Sequence, residues 1–138
     1  MILTDTGYWL ALANAKDKYH TRAIEVTQSI KQDLVITWPV ITECCHLITT
    51  RLNPQVTALF LQEVERNTLI FELQPDHIPA IKKHMRKYVD LPMDLADASL
   101  VIAAEELASG DILSTDQRDF ETYRWKNQKP FRNLLLDA

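Results

Sequence analysis

Four acidic residues spread along the chain are the side chains best suited to do chemistry. Each directly follows a predicted strand or lies near the start of a predicted helix; they are Asp5, Glu43, Asp97 and Asp116. Carboxylates that are brought together repel one another and raise each other's proton affinity, and a divalent cation relieves that repulsion. Mg²⁺ and Mn²⁺ favour oxygen ligands and retain bound waters. Such an ion acidifies a bound water and offsets charge on a phosphoryl oxygen, which is the chemistry of phosphodiester hydrolysis.

Asp97 is the acid that an ordinary surface position explains least well. In the segment MDLADASLVIAAEELA, the residues that follow it at successive turns of the same helical face are all apolar: Val101, Ala104 and Ala108. A carboxylate rooted on a buried apolar stripe is costly unless it is paired or bound to a metal. The predicted helix carries no lysine or arginine that would pair with it. The pattern therefore favours Asp97 as a metal ligand.

Structural roles remain open for the other acids. Asp5, Asp94 and Asp116 each fit the N-cap position of a helix, and a cap is the favoured interpretation of Asp94. Asp97 also fits the third residue of a capping box that Asp94 opens. Glu43 flanks the apolar stripe of its helix instead of centring on it, and alone it would be a surface glutamate.

Three polar residues extend the group around Asp116. Ser114 and Thr115 either position a water or a ligand or are ordinary residues at a strand end. Asp119 lies one helical turn after Asp116 and either adds a ligand or occupies a surface turn, with the surface turn slightly favoured.

Strands and helices alternate along the chain and must position these acids. Short apolar runs predict strands at residues 2–4, 34–37, 68–73, 111–115 and 134–136. Apolar residues at helical spacing predict the intervening helices, including 7–15, one that begins after an Asn53 cap, and 95–108 with Gly110 as its C′ residue. This alternation predicts an α/β domain, a three-layer α/β/α sandwich around a mainly parallel sheet of four or five strands.

The predicted topology brings the four acids to one edge of the sheet. In an open parallel sheet, ligands bind beyond the carboxyl ends of the strands. Asp5 directly follows the first strand and Asp116 the fourth. The helix that contains Asp97 has about 14 residues and a rise of about 21 Å, and it runs antiparallel to the strand it feeds. Its start therefore lies at the end where Asp116 lies, and we expect the acids to face one point.

Composition excludes several classes of function. A chain of 138 residues with a net charge of −4 predicts a single globular domain over residues 1–138 and argues against non-specific coating of nucleic acid. The start MILTDTG lacks the basic and apolar regions of a signal peptide, so a cytoplasmic location is expected. With only two glycines, Gly7 and Gly110, a P-loop or a dinucleotide fingerprint is excluded. Adjacent Cys44 and Cys45 predict free thiols, because a disulfide between neighbours would be strained.

Four segments span almost the whole chain in a characteristic order: ILTDTGYWLALA, PVITECCHLI, DLADASLVIAAEEL and LSTDQRDF. No single segment is specific, but the ordered set resembles a PIN domain, and most closely the VapC-like toxin ribonucleases of toxin–antitoxin pairs. The resemblance implies a metal-dependent endoribonuclease that hydrolyses RNA phosphodiester bonds, the toxin of a type II pair.

The resemblance also implies the roles of individual residues. Mg²⁺ or Mn²⁺ would be held by Asp5, Glu43, Asp97 and Asp116, with Thr6 and Thr115 as supporting polar residues and Asp94 beside the ligands. The expected partners are RNA, a small antitoxin protein and a second copy of the chain. Four apolar or aromatic residues either supply contact surface for these partners or belong to the core, and the core is at least as favoured for each: Tyr8, Trp9, Leu59 and Phe60.

Other functions remain as alternatives. A non-catalytic interaction module on the PIN fold would not need all four acids. A phosphoacceptor receiver domain should end its third strand with an aspartate, but this chain has FELQP there. A nuclease that cuts DNA instead of RNA is a further alternative that the sequence does not separate.

Overall fold

Five parallel strands form the central sheet of the computed structural model, which describes residues 1–137. With the two strands of a separate hairpin, the described strands in chain order are β1 (Ile2–Thr4), β2 (Leu34–Thr37), β3 (Thr68–Phe71), β4 (Asp111–Leu113), β5 (Arg124–Trp125), β6 (Lys129–Pro130) and β7 (Arg132–Asn133). The sheet order is β3-β2-β1-β4-β7, and β5 pairs with β6 as a separate antiparallel hairpin. The predicted α/β class with a mainly parallel sheet is confirmed.

Within residues 1–137, seven α-helices flank the sheet, which confirms the predicted three-layer sandwich. They are α1 (Thr6–Ala13), α2 (His20–Ser29), α3 (Trp38–Arg51), α4 (Pro54–Asn67), α5 (Ile78–Lys87), α6 (Leu95–Leu107) and α7 (Gln117–Thr122), with a short 3-10 helix at Pro75–His77. The predicted Asn53 cap is confirmed, because its side chain accepts a hydrogen bond from the Val56 amide at 2.9 Å. Within residues 1–137, none of the helices has the length and apolar character that a membrane crossing requires.

The middle of the sheet is buried on both faces, as expected for parallel strands between helices. All three residues of β1 are buried, and so are the central residues Val35, Ile36, Ile112 and Leu113 of its two neighbours. Edge strand β3 differs, because Leu69 and Ile70 are exposed. The sheet is thus most rigidly packed where β1 lies between β2 and β4.

Helix α6 is buried around nearly its whole circumference in its middle, where residues 98–104 are all buried. Its N-terminus is capped by Asp94, whose carboxylate accepts a hydrogen bond from the Asp97 amide at 2.8 Å, as the sequence predicted. The Ser99 hydroxyl lies 2.7 Å from the Thr37 hydroxyl at the end of β2. These contacts fix the start of α6 at the carboxyl edge of the sheet.

Several predicted boundaries were wrong. The helix predicted at 7–15 is Thr6–Ala13, and the strands predicted at 68–73 and 111–115 end at Phe71 and Leu113. The strand predicted at 134–136 lies just upstream at Arg132–Asn133. The apolar run after it forms a turn, in which Leu135 is fully buried and its amide donates to the Asn133 side chain at 3.1 Å. Core packing, and not strand pairing, explains that run.

Gly110 does not have its predicted role as the residue that ends α6. Ala108 adopts the left-handed conformation there, with φ of 53°. Gly110 is instead required by a close approach, because a Cβ at that position would lie 2.2 Å from Trp125 Nε1. The indole belongs to the β5–β6 hairpin, which the sequence analysis did not predict, and it donates to the Pro130 carbonyl at 3.0 Å.

Three of the four residues considered as contact surface lie in the core. Tyr8, Trp9 and Phe60 are buried, and Trp9 packs edge-to-face against Phe60 with ring centroids 5.5 Å apart. Only Leu59 is exposed, at 63%. The core position, which was at least as favoured for each residue, is therefore correct for Tyr8, Trp9 and Phe60. Both cysteines are free, as predicted.

Candidate active site

A cavity of about 290 Å³ at the carboxyl edge of the sheet is lined by six carboxylates. They are Asp5, Glu43, Asp94, Asp97, Asp116 and Asp119. The same cavity is lined by the predicted supporting residues Thr6 and Thr115, and by Gly7 and Arg51. The structure therefore brings together all the residues that the sequence analysis proposed for a site.

Sheet topology explains why residues so distant in sequence meet. β1 and β4 are parallel neighbours with Thr4 opposite Leu113, so Asp5 and Ser114 follow at the same edge. The Asp5 amide donates to the Leu113 carbonyl at 3.0 Å. The direction in which strands are added reverses between β1 and β4, and such switch points are where open α/β sheets bind ligands.

Asp5 is the most buried of the predicted ligands, with 7% of its surface exposed. Its carboxylate accepts hydrogen bonds from the Thr6 amide at 2.8 Å and from the Ser114 hydroxyl at 2.9 Å. Burial raises the pKa of Asp5 to about 6, which the two hydrogen bonds oppose and the charges of Glu43 and Asp116 reinforce. Asp5 both caps α1 and presents a poorly solvated carboxylate to the cavity.

Asp97 has a hydrogen-bond partner that its own helix does not supply. The Tyr123 hydroxyl donates to Asp97 Oδ2 at 2.9 Å. Burial, reinforced by the charges of Asp5 and Asp94, raises the pKa of Asp97 to about 8, while the Tyr123 hydrogen bond acts in the opposite direction. The Asp97 carboxylate thus lies near other acids, and its side-chain hydrogen-bond partner, the Tyr123 hydroxyl, is neutral. A cation in the cavity would favour the charged form of Asp97.

Asp116 and Asp119 are linked through the first turn of α7. Asp116 caps this helix, because its carboxylate accepts a hydrogen bond from the Asp119 amide at 3.2 Å. Burial raises the pKa of Asp116, and the neighbouring Asp119 side chain raises it further. Asp119 is itself buried and lies 3.3 Å from Arg118 Nε. The interpretation of Asp119 as a surface residue was therefore wrong, since α7 turns this side chain toward the cavity.

Glu43 and Asp94 occupy the other side of the cavity. Glu43 is partly buried on α3, and its charge contributes to the raised pKa of Asp5. Asp94 is exposed and caps α6 as described above. Both side chains also line a neighbouring groove, so this rim separates two surface depressions.

Close packing of α1 against the loop after β4 joins the two halves of the site. A Cβ at Gly7 would lie 1.8 Å from Thr115 Oγ1, so only glycine permits this approach. Beside it, Thr6 Oγ1 is buried and has no hydrogen-bond partner among residues 1–137. Because buried hydroxyls are usually paired, this unpartnered atom in a residue of the cavity wall is an exception.

Three contributors were not assigned a definite role from the sequence. Ser114 connects two acids, since its hydroxyl donates to Asp5 and accepts from the Asp116 amide at 2.9 Å. Tyr123 was not singled out, because nothing in the segment ETYRW indicates that its hydroxyl reaches another helix. Arg51 adds a guanidinium to the cavity, whereas the helix that contains Asp97 carries no lysine or arginine. Tertiary folding alone brings these residues together.

The chemistry of the cavity fits a hard divalent cation. Its lining contains carboxylates and hydroxyls but no histidine or cysteine, which matches the oxygen preference of Mg²⁺ and Mn²⁺. The raised pKa values of Asp5 and Asp97 describe carboxylates that lack a counter-charge. Among the described residues, no three His, Cys, Asp or Glu side chains form a ready-made ligand set. The acids surround the cavity, and cation binding would draw them together.

Comparison with known proteins shows similarity to a ribonuclease in sequence and to a solved toxin structure in fold. No family model matches the chain. Ribonuclease VapC26 of Mycobacterium tuberculosis is 28% identical over 126 residues, which is 89% of this chain and 92% of that protein. The crystal structure of VapC20 of Mycobacterium tuberculosis, a sarcin-ricin loop cleaving toxin, shares the fold with a TM-score of 0.79 at 16% identity. That match covers 86% of this chain and 92% of VapC20.

Proposed function

We propose that this VapC-like PIN-domain protein is a metal-dependent endoribonuclease that hydrolyses RNA phosphodiester bonds as the toxin of a type II toxin–antitoxin pair. The observation that carries the proposal is the acidic cavity. Carboxylates from four separate segments line it at the switch point of the sheet, on a fold shared with a toxin that cleaves RNA. The sequence similarity to a ribonuclease independently supports the same activity.

In this proposal four residues hold Mg²⁺ or Mn²⁺, namely Asp5, Glu43, Asp97 and Asp116. The cation supplies Lewis acidity and positive charge, which phosphodiester hydrolysis in an acidic cavity requires. Asp94 and Asp119 add negative charge around these residues, and Thr6 and Thr115 offer hydroxyl groups.

The remaining residues of the cavity orient the acids and the RNA. Ser114 holds Asp5 and the start of α7 in a fixed relation, and Tyr123 holds one oxygen of Asp97. Arg51 is the cationic side chain in the cavity lining, and it would bind a phosphate of the substrate. Arg51 and a bound cation would together offset part of the negative charge that the six acids present to RNA.

A non-catalytic module on the same fold is the alternative, and the buried acids argue against it. Carboxylates with raised pKa values destabilise a folded chain unless a ligand compensates them. A receiver domain is disfavoured because β3 ends at Phe71 on the edge of the sheet and is followed by Glu72, with no aspartate there.

The proposal also includes a setting for the activity. We infer a cytoplasmic protein with a single nuclease domain over residues 1–138, which forms a homodimer and is inhibited by a small antitoxin. Leu59 on α4, exposed on the surface, is one residue available for such contacts. Light scattering that gives a monomer at tens of micromolar would count against the dimer.

The deciding experiment incubates the chain with total transfer and ribosomal RNA and Mg²⁺ or Mn²⁺. Cleavage should yield 5′-phosphate and 3′-hydroxyl ends, should stop with chelator, and should be abolished by Asp97→Asn. The matched control is Asp76→Asn, which makes the same chemical change at an exposed acid outside the cavity. Cleavage that survives both Asp97→Asn and the chelator would rule out the metal-dependent mechanism. Equal cleavage of single-stranded DNA would favour the broader nuclease alternative.

A further inference from the structure

An open groove of about 700 Å³ lies beside the acidic cavity. It is formed by the first turns of α3, the segment after β3 and the start of α6, with Trp38, Leu73 and Leu95 as its larger apolar side chains. Trp38 and Leu95 are 49% and 48% exposed. Large apolar side chains this exposed on adjacent elements indicate a surface that binds something.

The groove is continuous with the acidic cavity. Glu43 and Asp94 line both depressions, so the groove begins at the rim where the cavity ends. A substrate that places a phosphate in the cavity therefore has its neighbouring groups at the mouth of the groove. This continuity connects the groove to the substrate of the cavity.

Trp38 differs from the other two tryptophans of the chain. Trp9 and Trp125 are buried, and their indole N–H groups donate to the Thr4 hydroxyl at 2.9 Å and the Pro130 carbonyl at 3.0 Å. Within residues 1–137, the Trp38 indole N–H makes no such hydrogen bond. Trp38 is 49% exposed and its indole N–H has no partner among the described residues, so part of the ring and its donor are available to a ligand.

Charge decides which part of an RNA fits the groove. The lining contains no lysine or arginine, and its basic side chain is the imidazole of His46. Glu43 and Asp94 at the shared rim would repel a phosphate. An unpaired nucleobase is uncharged and flat, and single-stranded bases stack on aromatic side chains. Its amino edge would also donate to a carboxylate, as cytosine N4 does in base recognition. The combination of indole, aliphatic side chains and carboxylates therefore suits a base.

We propose that the groove is a nucleobase subsite, in which an unpaired base next to the cleaved phosphodiester stacks on Trp38. This inference rests on the proposed ribonuclease function and deepens it. Trp38 and the groove would select a single-stranded element of the RNA.

The first test measures tryptophan fluorescence during binding, in the Asp97→Asn chain so that no turnover is expected. Single-stranded hexauridylate and hexaadenylate should change the emission, and a hexamer of abasic ribose phosphates should not. The same titration in the Asp97→Asn/Trp38→Phe chain, whose remaining tryptophans are buried, should show no change. Hexamers that bind by anisotropy without changing the emission, or an equal change with the abasic hexamer, would overturn the inference.

The second test uses an RNA that the wild-type chain cleaves. Trp38→Leu keeps apolar bulk but removes the ring, and it should raise KM about tenfold with kcat nearly unchanged, because stacking acts equally in the bound and reacting states. Trp38→Phe should restore most of the loss. Val89→Ala, a matched change at an apolar residue that is 64% exposed elsewhere, should have no effect.

The outcomes separate this inference from the proposed function. A base-dependent change in emission, together with a wild-type chain that cleaves no RNA, would support the subsite and contradict the ribonuclease. RNA cleavage with no effect of Trp38→Leu on KM would support the ribonuclease and overturn the subsite. Conversion of a dimer to a monomer by Trp38→Leu, seen by light scattering, would assign the groove to contact between copies and also overturn it.

Discussion

The Tyr123 hydroxyl, at the end of α7, donates a hydrogen bond to Asp97 Oδ2 in the first turn of α6, with 2.9 Å between the oxygens. Tyr123 is fully buried, and its ring packs edge-to-face against Tyr88 and Phe120 with centroids 4.9 Å and 5.2 Å away. The ring is therefore held rigidly, and it fixes one oxygen of Asp97. This contact makes the chain after β4 part of the candidate metal site.

Tyr123→Phe should weaken cation binding without unfolding the chain. The substitution keeps the ring and its packing but removes the donor that orients Asp97. Hydrogen bonds of this kind around metal ligands typically contribute tenfold to a hundredfold in metal affinity, so we expect at least about a tenfold rise in the Mn²⁺ concentration that gives half-maximal cleavage. Manganese titration of activity and calorimetric binding to the chain would measure it.

Tyr88→Phe is the matched control for that experiment. The Tyr88 hydroxyl accepts a hydrogen bond from the Arg124 amide at 2.9 Å and makes none with an acid of the cavity. Its loss should lower the free energy of unfolding by about 1 kcal/mol and leave the manganese titration unchanged. If both variants shift the titration equally, Tyr123 acts through folding and not through Asp97.

Ser114→Ala should impair both the site and the fold. The hydroxyl is buried between Asp5 and the Asp116 amide, so its removal leaves two polar groups without their partner. We expect a loss of about 1–3 kcal/mol in stability and a fall in cleavage of about tenfold or more. Ser109→Ala, which removes an exposed hydroxyl bonded to the Met1 carbonyl, should leave activity intact. Equal activity of the two variants would contradict the role of Ser114.

The convergence of the acids was predictable because it depends on topology. Asp5 follows a buried apolar strand. Because α6 runs antiparallel to β4, its start must lie at the carboxyl end of β4, and both facts can be derived from short stretches of sequence. The cap at Asp94 followed equally from local pattern. Such features need only the periodicity of the chain and the rule that parallel strands share a functional edge.

The parts that were missed depend on contacts between distant segments. The β5–β6 hairpin has two-residue strands that give almost no alternation to detect, and Trp125 covers Gly110 only after folding. Leu135 lies in an apolar run whose burial in a turn resembles that of a strand. The burial of Asp119 and the reach of Tyr123 to Asp97 likewise require the orientation of α7.

Gly7→Ala should separate α1 from the loop after β4. The added Cβ would lie 1.8 Å from Thr115 Oγ1, far closer than non-bonded heavy atoms can approach, so the loop and Thr115 must move. We expect lower thermal stability and a fall in cleavage of about tenfold or more, since Thr6 and Thr115 both line the cavity. Gly7→Ala/Thr115→Ala removes the Thr115 hydroxyl and should recover part of the stability. A single variant as stable and active as wild type would show that the contact is unimportant.

The raised pKa values of Asp97 and Asp5 predict how stability depends on pH without metal. A carboxyl whose pKa is higher in the folded chain binds protons more tightly there. Its contribution to stability is therefore full below the unfolded pKa and is lost as the pH rises through the folded pKa. The unfolded value is about 4, and burial and neighbouring acids raise the folded values to about 6 for Asp5 and about 8 for Asp97.

In chelator, the free energy of unfolding should therefore decrease between about pH 4 and pH 8, by roughly 2 kcal/mol for Asp97 after allowance for its partial exposure. Asp97→Asn cannot ionise, so its curve should be flatter, and the variant should be more stable than wild type at pH 8. Mg²⁺ should restore wild-type stability at pH 8 and affect the variant much less, because it binds the charged carboxylates of the folded chain. Urea denaturation of both chains at pH 5 and pH 8, with and without Mg²⁺, measures each effect. Parallel pH curves for the two chains in chelator would mean that Asp97 is no more desolvated than an ordinary surface acid.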